Sequence, residues 1–137
     1  MERLESMLKF NQKNVNPKNR KTGDCSTRAL ASCLNITWEE ALKLQYEVSL
    51  KTKYGITDRE VIEKVLGQFG YVKCKQPRKY DNTKYEVREM DKYLTEKDRE
   101  TPIICNVAHH YVVIYKDEYI DSWNCGHKTV GNYYKKV

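Results

Sequence analysis

The sequence predicts a single α+β domain over residues 1–137, on three observations. The chain's 137 residues suit one hydrophobic core. Helix-start signals cluster in the first two thirds. The last third turns β-branched and aromatic, broken by short polar stretches. With 39% hydrophobic and 32% charged residues, the composition is that of a globular protein and excludes a disordered one.

The elements follow in chain order. Residues 11–23 are polar and turn-rich and read as a basic loop. Asp24 stands at an N-cap position, and Cys25 to Leu34 reads as a helix with Ala29, Leu30, Cys33 and Leu34 as its apolar stripe. Thr37-Trp-Glu-Glu40 is a capping box that opens a second helix to about Leu50. Thr57-Asp-Arg-Glu60 is another, opening a helix to about Gln68 that Gly70 is placed to end. Tyr71–Lys75 reads as a short strand, residues 76–85 as a mobile loop, and Glu86–Leu94 as a helix. Pro102–Val107, His110–Lys116, Tyr119–Trp123 and Lys128–Lys135 read as the strands of an antiparallel meander.

Charge and cysteine usage narrow the class. The net charge of +6 is compatible with acidic partners, nucleic acid among them, although a lysine-rich coding bias gives the same balance. No run reaches the roughly 18 apolar residues of a membrane span, and the N-terminus lacks the apolar core of a secretory signal. A cytoplasmic location without membrane association is expected. The five cysteines, Cys25, Cys33, Cys74, Cys105 and Cys125, are odd in number and widely spaced, a poor disulfide scaffold. No CxxC pair is present. The nearest approach to a ligand set is Cys105, His110, Cys125 and His127, and no metal or organic cofactor is expected.

Cys25 stands out among the thiols. A helix N-terminus supplies partial positive charge and free N–H groups, and both favour thiolate, the nucleophilic form. The only histidines are His109, His110 and His127. His110 directly precedes Tyr-Val-Val-Ile-Tyr, which puts its ring at the mouth of a buried strand, and strand alternation points His109 to the opposite face. A third group should orient the imidazole. With a three-residue loop at Lys116-Asp117-Glu118, Tyr115 pairs with Tyr119, Ile114 with Ile120, and His110 with Asn124, which leaves Asp121 on the far face. A two-residue loop at Asp117-Glu118 reverses the parity and puts Asp121 on the face of His110. The first register favours Asn124 and the second keeps Asp121 open. An oxyanion needs donors. The Cys25 N–H is one, and the loop amides Asn19, Asn16 and Gln12 are available as a second.

Asp24-Cys-Ser-Thr-Arg-Ala-Leu30, His110-Tyr-Val-Val113 and Asp121-Ser-Trp-Asn124 together resemble the papain-like cysteine peptidase superfamily, most of all small members from bacteriophages and low-GC bacteria. The resemblance implies a papain-like fold, with N-terminal helices carrying the nucleophile packed on a C-terminal antiparallel sheet. It implies a Cys-His-Asn/Asp triad. The family's glutamine oxyanion donor lies six residues before the cysteine, where this chain has the shorter amide Asn19. In papain the triad asparagine precedes Ser-Trp, a local match that points to Asp121 rather than Asn124. Transglutaminases and arylamine acetyltransferases share the order Cys, His, Asn/Asp.

The expected function is therefore a cysteine hydrolase, a peptidase or amidase acting on protein or peptide through a thioester. An acyltransferase of transglutaminase-like chemistry and a catalytically silent binding module with a basic surface are the alternatives. With 24 residues ahead of Cys25, a zymogen segment is not expected.

Overall fold

The computed structural model describes residues 7–20 and 23–137. Three α-helices pack on a six-stranded mixed sheet, an α+β arrangement. The elements are β1 (Lys9–Gln12), α1 (Cys25–Leu34), α2 (Trp38–Thr52), α3 (Arg59–Gln68), β2 (Tyr71–Cys74), β3 (Ile103–Asn106), β4 (Tyr111–Tyr115), β5 (Glu118–Asp121) and β6 (Tyr133–Lys136). The sheet order is β1-β5-β4-β3-β6-β2.

α1 has the predicted bounds. α2 carries the predicted capping box: the Thr37 hydroxyl accepts from Glu40 N–H and the Glu40 carboxylate accepts from Thr37 N–H. The second expected box does not form. Asp58 is the N-cap of α3, but its carboxylate accepts from Gly55 N–H, a tighter local turn that competes with capping. Gly70 follows that helix at φ +84°, a left-handed conformation that glycine adopts without cost. The expected helix over Glu86–Leu94 is a single 3₁₀ segment, Val87–Lys92. Two of its positions, Val87 and Met90, are fully buried, so it serves as a lid on the sheet rather than as a free-standing helix.

The sheet departs from the expected meander in three ways. β3, β4 and β5 run antiparallel in order, but β6 crosses back to the other edge of β3. β2 extends that side antiparallel to β6. β1, drawn from residues 9–12 where no strand was expected, pairs parallel with β5. Its sequence Lys-Phe-Asn-Gln has neither alternation nor β-branching, so only its partner makes it a strand.

The central strands are buried on both faces. Ile104, Val113 and Tyr134 face the helices, against Leu30, Val61, Ile62 and Leu66. Ile103, Cys105, Val112 and Ile114 face the opposite way, under Val87, Met90 and Leu94. Two-sided burial explains why β3 and β4 read as continuous apolar runs rather than as alternating ones. Each such fully buried aliphatic side chain contributes roughly 1.5–3 kcal/mol. This double core fixes the end of the sheet at which α1 begins.

Candidate active site

α1 is tied down at its first turn. The Asp24 carboxylate does not cap the helix; it accepts from Asn16 Nδ2 and Trp38 Nε1, each at 2.9 Å, and pairs with the Arg28 guanidinium. Within the same turn, Gln45, fully buried on α2, accepts from the Thr27 hydroxyl at 2.7 Å and donates to Ser26 Oγ at 3.2 Å and to the Ile56 carbonyl at 3.1 Å. Cys25 is therefore the first residue of a helix whose start is held from three directions.

β3 and β4 join through a two-residue hairpin closed by Val107 N–H to the His110 carbonyl at 2.7 Å. Its central residues, Ala108 at φ 49° and His109 at φ 60°, both lie in the left-handed region. This primed turn matches the sheet twist, but it is normally built from Asn and Gly, and an L side chain there costs roughly 1–2 kcal/mol per residue. The strained turn sits directly before His110. It places the His109 carbonyl 4.0 Å from Cys25 Sγ and leaves His109 lining the cleft. The His110 ring faces the Cys25 thiol closely enough for its bonding and charge to act on the sulfur.

The carboxylate beside the His110 ring is that of Asp121. His110 Nε2 lies 2.5 Å from Asp121 Oδ2. The observed register pairs Tyr115 with Glu118, Ile114 with Tyr119 and Val113 with Ile120, so the loop is the two residues Lys116-Asp117. This corrects both expected loops, Lys116-Asp117-Glu118 and Asp117-Glu118, and with the first the preference for Asn124 as the neighbour of His110. Lys116 takes φ 55° to close the tighter turn, and Asp121 comes level with Val112 on the side of His110. The exposed Asn124 points elsewhere, its Oδ1 accepting from the Tyr119 hydroxyl at 2.7 Å and Gly126 N–H at 2.9 Å.

Burial would raise the Cys25 pKa. The hydrogen bond and positive charge of His110, helped by Tyr111 N–H and the charge of Arg28, outweigh burial and hold the thiol below its ordinary value. Burial would lower His110. The bonds to Asp121, Cys125 and Cys25 instead raise it to about 11. The two shifts describe one pair, in which each partner favours the charged form of the other. Burial moves other thiols the opposite way: Cys33 is pushed up to about 12, and Cys105 and Cys125 also rise.

The loop amides do not gather at the sulfur. Asn16 is committed to Asp24, Gln12 is exposed and reaches only the Ser122 carbonyl at 3.5 Å, and Asn19 is exposed in a left-handed turn at φ 53°. Asn19 is not among the residues lining the cleft of about 540 Å³ beside Cys25. The expectation that it serves as an oxyanion donor has no geometric support. The amide that lines this cleft is Asn106, together with Ser26, Thr57, Asp58, Arg59 and Tyr111.

Two further side chains stand beside the His110–Asp121 pair. Trp123 lies against His110 with ring centroids 4.9 Å apart. Cys125 is fully buried and donates to Asp121 Oδ2 at 3.3 Å. Only the register of the Lys116-Asp117 turn could have placed either. His110, Asp121 and Cys125 offer nitrogen, oxygen and sulfur within 4.8 Å of one another, the donor types zinc takes. Cys105 and the exposed His127 do not join that set. Two ligands of one tetrahedral zinc stand about 3.3 Å apart, so an ion there requires the 2.5 Å His–Asp contact to open.

No family model, curated protein or solved structure matches the chain.

Proposed function

We propose that this chain is a papain-like cysteine hydrolase acting on an amide or ester carbonyl, with a peptide or protein as the natural substrate. The observation that carries the reading is the relay Cys25–His110–Asp121, in which a thiol at a helix start meets an imidazole whose far nitrogen is held by a buried carboxylate. Since Nε2 faces Asp121, Nδ1 is the nitrogen left for Cys25.

The Cys25 thiolate attacks the carbonyl carbon, and the C=O π electrons move to oxygen. The backbone N–H of Cys25, unpaired within the helix at its first position, is placed to receive that charge. His110 gives its proton to the departing amine or alcohol as the C–N or C–O bond breaks, leaving a thioester on Sγ. A water then loses its proton to His110 and attacks the thioester; the C–S bond breaks and the acid departs. Asp121 holds the imidazole angle and stabilises its charge throughout without taking the proton. Supporting the reading, the cleft beside Cys25 can seat the flanking residues of a chain.

Trapping the intermediate tests the reading. Brief incubation with p-nitrophenyl acetate, acid quench and peptide mapping should place an acetyl group on Cys25. A Cys25→Ser or His110→Ala chain should stay unlabelled. Acetylation spread over surface lysines with Cys25 bare would remove the proposal. Product that passes to added glycylamide faster than to water would move it to the acyltransferase class.

A further inference from the structure

We propose that Cys125 is a positioning residue for the relay: its S–H donates to the same Asp121 oxygen that meets the imidazole, and so fixes the rotation of the carboxylate. The proposal deepens the hydrolase reading and rests on it for its consequence at Cys25.

A carboxylate as buried as Asp121, 7% exposed, needs donors on both oxygens. Oδ1 takes Ser122 N–H at 2.7 Å, and Oδ2 takes His110 at 2.5 Å and the Cys125 thiol at 3.3 Å. With only the first two, the carboxylate is hinged at a backbone N–H and pulled from one side. The thiol gives Oδ2 a second anchor. Burial, helped by the Asp121 charge and bond, outweighs the opposing pull of His110 and holds the Cys125 pKa above its ordinary value, so the sulfur keeps the proton that it donates. The segment carrying Cys125 is itself braced. Asn124 Oδ1 ties the Tyr119 hydroxyl to Gly126 N–H, and a Cβ at Gly126 would overlap the Tyr119 hydroxyl oxygen. A cysteine serving only as a small apolar filler would not aim its sulfur at a carboxylate and an imidazole.

The groups facing the pair are Cys25 and Arg28 from α1, Tyr111 from β4, Asp121 from β5, and Tyr119 beside Cys125. Losing the S–H donor changes none of those charges. It changes how well the imidazole is held.

Two readouts on the whole chain test this: the ring N–H proton resonance of His110, and the pH dependence of Cys25 alkylation by iodoacetamide. Cys125→Ala should broaden or move the His110 resonance upfield and raise the Cys25 alkylation midpoint by about 0.5–1 pH unit, which is about 3- to 10-fold less thiolate at any pH below the midpoint. Cys125→Ser, which keeps a donor, should restore both. Should the alanine chain not fold, Cys125→Val fills the space without a donor and carries the same expectation. A His110 resonance unchanged in the alanine or valine chain overturns the proposal, as does a serine chain that behaves like the alanine one. A wild-type Cys25 that alkylates like a free thiol refutes the hydrolase reading instead, and the His110 resonance still decides the place of Cys125.

Discussion

Replacing Asp121 by alanine removes the acceptor 2.5 Å from His110 Nε2 and leaves Asn124 untouched. Burial alone would lower the His110 pKa from its ordinary 6.5, and the Asp121 hydrogen bond is the largest of the contributions that carry it to about 11. Without that carboxylate the ring should be largely neutral at pH 7. Cys25 then loses the charge that outweighs its own burial, and an opposite charge at this range is worth about 1–3 pKa units. Each unit of rise cuts the thiolate tenfold, while the more basic thiolate regains about threefold in intrinsic reactivity. The net expectation at a pH below the wild-type midpoint is alkylation about 3- to 30-fold slower. Turnover should fall by about 10- to 10⁴-fold, chiefly in kcat. The assay is iodoacetamide labelling of Cys25 against pH, read by peptide mass. Asn124→Ala should leave that curve in place and lower stability by about 1 kcal/mol, because the Tyr119 hydroxyl and Gly126 N–H lose their acceptor. If Asn124→Ala moves the curve and Asp121→Ala does not, the orienter has been misassigned and the electrostatic reasoning with it.

Two further outcomes follow. His110→Ala should abolish acylation of Cys25 by p-nitrophenyl acetate, and His109→Ala should retain most of it, since His109 approaches the sulfur through its carbonyl. Asp24→Ala removes the ion pair with Arg28 and the bonds to Asn16 and Trp38; it should cost about 2 kcal/mol in urea denaturation and alter Trp38 fluorescence.

Much of this site is legible in the sequence because its parts are local. Cys25 at a helix start follows from the polar break before it and the apolar period after it. His110 at the mouth of β4 follows from the run Tyr-Val-Val-Ile-Tyr. The orienter depends instead on one turn. Lys116-Asp117 and Lys116-Asp117-Glu118 are both plausible turn sequences, and the choice turns on whether Lys116 accepts a left-handed φ of 55°. That is a tertiary decision: Lys116 N–H donates to the Arg99 carbonyl, and the Arg99 side chain reaches the Lys116 carbonyl and Asp117. Pairing Ile114 with Ile120 looked favourable as a like-with-like contact, but both sheet faces are buried here, so apolar matching does not discriminate registers. β1 was invisible for a related reason: its strand character comes from the open edge of β5. Asp24 stands at the expected place with a different task, because Asn16, Trp38 and Arg28 converge on its carboxylate.

The central claim is that Cys25 is an activated nucleophile, and a competition between thiols of one folded chain tests it most directly. Cys25 and Cys74 are both half-buried, and of the two only Cys25 faces His110. With iodoacetamide below one equivalent near pH 6.5, followed by peptide mapping, Cys25 should carry the label at least about tenfold ahead of Cys74. It should also keep its rate to lower pH than N-acetylcysteine does, because a lowered pKa means that thiolate persists as pH falls. Equal labelling of Cys25 and Cys74, with the pH profile of a free thiol, would contradict the account.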